Sequence, residues 1–307
     1  MLSVVIPAYY EQEMVPVAAK EMGRILTEAQ IEYELIFVDD GSKDATWEKI
    51  TAAAQEDPHV RGVRFSRNFG KEAAIFAGLQ ESKGDCVACI DCDLQHPPEK
   101  LVEMYHLWEQ GYEVIEGVKS DRGKESAFHL AFTKLFYNII SRATKVDMTR
   151  ASDFKLLDRK AVNVILTMRE KRAFFRALSS WVGFRTMEVS YEVQERAAGE
   201  SKWSTWSLMK YAVSNITSFT AMPLHLVTIF GVITLIVSVI MGAVSLIQKF
   251  MGVALGGFTT VIILLLFIGS LIMLSLGIIG YYVGNIYEEI KDRPRYIVAE
   301  YAGKERA

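Results

Sequence analysis

The chain has 307 residues, enough for one large domain with an appendage, and half of them are hydrophobic. A net charge of −3 and a pI near 6.0 lack the basic balance of a nucleic-acid binder and exclude that class. The mean hydropathy of +0.16 makes membrane residence the first expectation.

In chain order, the opening Met1-Leu2-Ser3-Val4-Val5-Ile6-Pro7 has no basic n-region and turns acidic at Glu11 and Glu13, unlike a signal peptide. The N-terminal part is therefore expected to stay in the cytoplasm. Apolar strand-like runs occur at Leu2–Ile6, Leu35–Val38, Val60–Phe65, Cys86–Ile90 and Val114–Gly117. Helix-like segments lie between them, at Glu11–Ala29, Lys43–Gln55, Lys71–Ser82 and Pro98–Gln110. This β-α-β-α order predicts an α/β fold with a mostly parallel sheet covered on both faces. Cys86, Cys89 and Cys92 mimic overlapping C-x-x-C motifs, but they sit in a strand-like run. Residues three apart on a strand point to opposite faces, so these thiols are expected as small buried hydrophobes.

Further along, Phe128–Arg142 and Trp203–Phe219 carry aromatic and apolar residues at helical spacing with occasional basic residues. That pattern suits helices lying in a membrane interface. From Tyr211 to Gln248 there is no Asp, Glu, Lys or Arg, and after Lys249 a second such stretch runs from Phe250 to Tyr287. Crossing a bilayer needs about 20 apolar residues. Two transmembrane helices are predicted, at about 224–247 and about 258–283, joined near Gly252, Gly256 and Gly257. The loop between them carries only Lys249, whereas the flanks carry Lys202, Lys210, Lys291, Arg293, Arg295, Lys304 and Arg306. The positive-inside rule then puts both flanks in the cytoplasm. Gly277, Gly280 and Gly284 lie near one side of the second helix and would serve the hairpin or a homo-oligomer. The expected division is a catalytic domain over 1–200, an interfacial helix over 201–222, the membrane pair over 223–287 and a cytoplasmic tail over 288–307.

In a parallel sheet, ligands sit at the carboxyl ends of strands. Here those ends carry Pro7-Ala8-Tyr9-Tyr10-Glu11, Asp39-Asp40-Gly41-Ser42 and Asp91-Cys92-Asp93-Leu94-Gln95. One acidic turn after a strand is an ordinary helix cap, as Asp44 would be. Several on one edge favour a nucleotide with a divalent cation, which takes carboxylate and phosphate oxygens. Phe69-Gly70-Lys71-Glu72 lacks the first glycine and the Ser/Thr of a phosphate-binding loop, and no G-x-G-x-x-G follows the first strand.

Pro7-Ala8-Tyr9, Asp39-Asp40-Gly41-Ser42, Ser66-Arg67-Asn68-Phe69-Gly70-Lys71 and Asp91-Cys92-Asp93-Leu94-Gln95, with the C-terminal hairpin, resemble family 2 glycosyltransferases of the GT-A (Rossmann-like) fold. More narrowly, they are similar to the polyisoprenyl-phosphate glycosyltransferases, the bactoprenol glucosyltransferase and dolichol-phosphate mannose synthase group. The resemblance implies that Pro7, Ala8, Tyr9, Glu11 and Asp40 hold the nucleoside. It places Lys71 and Asp91 at the donor nucleotide too, and Asp91, Asp93 and Gln95 on Mg²⁺ or Mn²⁺ at the diphosphate. Tyr10 departs from the family's usual Asn. Ser152-Asp153-Phe154-Lys155-Leu156-Leu157-Asp158-Arg159 resembles the segment beside the acceptor, which makes Asp153 the catalytic base. A lipid phosphate, with a second pKa of about 6, needs little deprotonation, so orienting the acceptor or stabilising the anomeric carbon are alternative roles. Gln194–Trp203 resembles a mobile loop whose Arg196 and Lys202 clamp the diphosphate, and Arg122 would bind the acceptor phosphate.

The implied activity is inverting transfer of a single sugar from a UDP-sugar, glucose or N-acetylglucosamine, to undecaprenyl phosphate at the inner surface of a bacterial cell membrane. A processive polysaccharide synthase is the first alternative, but Gln194 is followed by Glu195-Arg196-Ala197 in place of a Q-x-x-R-W motif. A non-catalytic nucleotide-sugar-binding scaffold is the second.

Overall fold

The computed structural model describes residues 1–120, 152–168, 170, 174–192, 222–251 and 257–303. The chain divides into two units, Met1–Ala212 with Pro294–Ala307, and Val213–Arg293. The expected interfacial helices over 128–142 and 203–219 lie outside the described residues.

The first unit alternates β1 (Leu2–Ala8), α1 (Met14–Glu28), β2 (Tyr33–Asp39), α2 (Thr46–Glu56), β3 (Val60–Phe65), α3 (Lys71–Glu81), β4 (Cys86–Cys89), α4 (Lys100–Glu109) and β5 (Val114–Lys119). It continues with β6 (Lys155–Asp158), α5 (Arg159–Thr167), α6 (Phe175–Trp181) and β7 (Thr186–Tyr191), and closes with β8 (Val298–Ala302). The strands form one sheet of order β7-β5-β6-β4-β1-β2-β3-β8. Both its faces are buried, as β2 illustrates. Leu35 and Phe37 enter one core beneath α1, α2 and α4, while Ile36 and Val38 enter the other beneath α3. Continuous apolar runs of this kind mark strands covered on both sides.

The α/β expectation holds for the four parallel strands β1 to β4. Two strands were not legible. β6 runs antiparallel between β4 and β5, and β7 pairs parallel with β5 at the far edge. The expected tail over 288–307 needs correction. Its residues 298–302 form β8, antiparallel to β3. The physical reason is the otherwise unpaired edge of β3, whose backbone groups need partners. Side chains reinforce the pairing: Trp47 Nε1 donates to Glu300 Oε2 at 3.1 Å and Tyr296 stacks on Phe65. All three cysteines are buried and unbridged, in agreement with the apolar reading.

The second unit holds α7 (Met222–Phe250) and α8 (Phe258–Ile290), of 29 and 33 residues. Their most apolar windows, Val227–Val244 and Phe267–Ile290, have mean hydropathies of 2.6 and 1.8 with no part buried. Each helix exceeds the about 20 residues that a bilayer crossing requires.

Candidate active site

The strand order sets the location. The chain steps from β1 to β2 to β3 on one side, then crosses back to place β4 on the other side of β1. Such a reversal opens a crevice beyond the strand ends. The returning helix α3 lies close because Gly78 faces Val5 of β1; a Cβ there would come within 2.1 Å of the valine. This close approach brings Lys71, the first residue of α3, over the ends of β1 and β4.

The end of β2 is spent on backbone. Asp39 Oδ1 accepts from Ser42 N at 2.9 Å. Asp40 accepts from Phe69 N at 2.6 Å and from Gly70 N at 2.9 Å. The turn needs Gly41, whose φ is +69° and whose Cβ would meet the Arg67 backbone at 2.4 Å. Asp40 is almost wholly buried, and burial pushes its pKa up to about 6 against the two amides. Tyr10 adopts a φ of 58°, and its N donates to Ser42 Oγ at 3.0 Å. Left-handed backbone suits Asn better than Tyr, so Tyr10 sits in an uncommon conformation.

The end of β4 is arranged differently. Lys71 Nζ lies 2.6 Å from Asp91 Oδ1 and 2.9 Å from Asp153 Oδ2. Asp153 also accepts from Arg176 Nε at 2.7 Å and Nη2 at 2.8 Å. Burial alone would raise the Asp153 carboxyl, but the Arg176 guanidinium and Lys71 ammonium outweigh it and hold it well below the usual carboxylate range. Asp91 is likewise pushed up by burial and pulled below its ordinary value by Lys71. Lys71 itself, opposed by burial but flanked by both carboxylates, is held above its ordinary value and stays charged.

Around this chain of ion pairs stand three side chains that the motifs did not single out. Arg176 comes from α6. Glu72, next to Lys71, accepts from Phe175 N at 2.8 Å, and burial with the nearby Asp153 charge raises it to about 7. His96 stacks on Phe154, with its Nδ1 4.0 Å from Asp91 Oδ2, and burial lowers its pKa. His96 directly follows the Asp91–Gln95 motif and was findable there. No local signal marks Arg176, which lies 23 positions from the Asp153 it holds. Behind α6, the fully buried Lys155 donates to Glu116 Oε1 at 2.5 Å, Ser179 Oγ at 2.8 Å and Ser180 Oγ at 3.1 Å.

Of the expected site residues, Lys71, Asp91 and Asp153 meet directly. Pro7 and Ala8 end β1 beside Asp39, and Asp40 N donates to Ala8 O at 3.0 Å. Tyr9 is exposed at the edge, and Glu11 N donates to Thr46 Oγ1 at 3.0 Å. Gln95 N donates to Asp93 Oδ1 at 3.2 Å, in a turn where Leu94 has a φ of 56°. Arg122, Arg196 and Lys202 lie outside the described residues.

No group of three His, Cys, Asp or Glu able to hold a metal occurs among the described residues. Two carboxylates, Asp91 and Asp93, remain. This donor set fits Mg²⁺ or Mn²⁺ held jointly with substrate phosphates, since hard cations take one or two carboxylates and fill their shell with phosphate and water oxygens.

Residues 3–166 match the family described as glycosyl transferase family 2. The chain is 36% identical over 306 residues to an uncharacterized glycosyltransferase of Synechocystis, covering 99% of this chain and 96% of that one. It is also 36% identical over 299 residues to a prophage-derived bactoprenol glucosyl transferase of Shigella flexneri, covering 97% of each. Among solved structures, glucosyl-3-phosphoglycerate synthase of Mycobacterium tuberculosis has a similar fold, with a TM-score of 0.50, 20% identity, and coverage of 71% of this chain and 79% of that one.

Proposed function

The chain belongs to glycosyl transferase family 2, and on that premise we propose that it moves one sugar from a UDP-sugar to undecaprenyl phosphate at the cytoplasmic face of a bacterial membrane. The observation that carries this reading is the ion-paired Lys71–Asp91–Asp153 edge in a chain that also holds two unburied apolar helices. The near full-length similarity to a bactoprenol glucosyl transferase supports a lipid phosphate acceptor and, with it, glucose as the first donor sugar to try.

Topology supports a membrane hairpin. The chain leaves the first unit, passes through α7 and α8, and returns as β8 to the same sheet. The chain before and after the apolar pair therefore belongs to one unit, which supports both flanks lying on one side of a bilayer. The basic flanks support the cytoplasm as that side.

In the proposed reaction the acceptor phosphate oxygen attacks the anomeric carbon, the bond to the UDP oxygen breaks, and configuration inverts. Pro7, Ala8, Tyr9, Glu11 and Asp40 would line the nucleoside, with Lys71, Arg196 and Lys202 on the diphosphate and Arg122 on the acceptor phosphate. Asp91, Asp93 and Gln95 would hold Mg²⁺ or Mn²⁺, whose charge would offset that of the diphosphate leaving group. Asp153 accepts from Arg176 and Lys71 and is held ionised by them, which supports an orienting role over that of a base. The acceptor, with a second pKa of about 6, is already largely deprotonated near neutral pH. The test is purified protein with undecaprenyl phosphate, Mg²⁺ and radiolabelled UDP-sugars. Labelled lipid is expected from one donor; no labelled lipid from any common donor would sink the reading.

A further inference from the structure

Arg176 lies outside every motif in the sequence, yet it makes a two-point contact with Asp153 at 2.7 and 2.8 Å. Two observations set this contact apart from a purely structural pair. The first is exposure. The Asp153 side chain is 10% exposed, whereas Arg176 is 28% and Lys71 is 38% exposed. One buried carboxylate thus lies beneath two cations that reach solvent. A buried carboxylate needs one cationic partner, and this one has two, each with a head that reaches solvent.

The second is how firmly the short helix α6 is held. Glu72 accepts from Phe175 N at 2.8 Å, beside the arginine. One turn on, Ser179 and Ser180 accept from the buried Lys155, and Ser180 Oγ donates to Glu116 at 2.9 Å. A buried charge is costly unless it is well paired. Here it is paired so as to fix the helix that carries Arg176.

We propose that Arg176 is a catalytic residue that contacts a substrate phosphoryl group alongside Lys71, while Asp153 holds both cations in position. Lys71 and Arg176 present two cationic heads that reach solvent, balanced here by the carboxylates of Asp153 and Asp91. A guanidinium fork matches phosphate oxygens, and positive charge beside a phosphoryl group opposes the negative charge there. The inference rests on the glycosyl-transfer reading above, which brings two such groups to the site, the diphosphate of the donor and the monophosphate of the acceptor.

The test uses the full-length chain in detergent with Arg176→Gln and Arg176→Lys. Calorimetry measures binding of UDP and of dodecyl phosphate, neither of which requires turnover, and thermal melts report folding. Arg176→Gln should weaken one probe at least about tenfold, and Arg176→Lys should restore part of the loss because it keeps the charge without the fork. Weaker UDP binding places Arg176 at the donor; weaker dodecyl phosphate binding places it at the acceptor. A folded Arg176→Gln that binds both probes as the parent does overturns the inference. If that variant does not fold, Arg176→Lys decides: unchanged binding of both probes overturns it, and selective weakening of one sustains it. A parent protein that binds neither probe also overturns it. A parent that binds the probes yet transfers no sugar to any lipid phosphate rejects the proposed function instead, and the phosphate contact is still decided by the binding measurements.

Discussion

The two acidic turns that flank β1 look alike in sequence and behave differently in the structure. At the end of β2, Asp39 and Asp40 accept from backbone amides of Ser42, Phe69 and Gly70. At the end of β4, Asp91 faces the side chains of Lys71 and His96. A backbone amide cannot leave without the loop unfolding, but a lysine on a flexible stem can move aside. The first turn is therefore fixed by backbone, whereas the carboxylates of the second are held by side chains.

The sharpest way to break this comparison is Asp93→Asn. It should lower kcat/KM by about 10³-fold or more while leaving the melting temperature nearly unchanged, because it removes a proposed cation ligand from a partly exposed turn. Steady-state rates with thermal melts decide, and a loss below tenfold would put Asp93 outside the chemistry. Lys71→Met comes next. Removing one preorganised cation should cost about 10²-fold in kcat, read from initial rates across a range of acceptor concentrations.

Asp40→Asn should act on stability instead. One backbone N–H loses its acceptor, at a cost of about 1–3 kcal/mol by urea unfolding near pH 4 and less near neutral pH. The pH dependence has a definite sign. The folded-state pKa is raised from 3.8 to about 6, so the folded form keeps its proton longer than the unfolded chain. The Asp40 contribution to stability therefore falls as pH rises from about 4 to about 6 and is flat above. The Asp40→Asn variant should lose that slope, so the difference between parent and variant should vary over this window; a constant difference would show that Asp40 is not the buried group described. The smallest effect is expected for Asp39→Asn. Its Oδ1 still accepts from Ser42, and its other oxygen has only Arg64 at 3.6 Å. The change should stay within about 1 kcal/mol in the same melts, since a long ion pair adds little.

Much of the fold was legible because it depends on local pattern. The four parallel strands and the helices between them follow from apolar runs and helical spacing, and α7 and α8 follow from the absence of charge. The site was legible only in part. Asp91, Asp93 and Lys71 announce themselves by motif and position, and His96 stands next to Gln95. Glu72 adjoins Lys71 but reads as an ordinary first-turn helix acid until its partner, Phe175 N, is known.

What the sequence by itself determined is the order of elements from β1 to β5, the acids at the strand ends and the two apolar stretches, since periodicity and hydropathy are properties of neighbouring residues. Only the tertiary structure decided that Lys71 bridges Asp91 and Asp153, that Arg176 completes the pair, and that residues beyond the apolar stretches return as β8. The reason is distance along the chain. Arg176 lies 23 positions from Asp153, Lys71 lies 82 from it, and Arg64 meets Glu300 across 236. Contacts of that kind exist only once the strands have paired, and no local pattern encodes them.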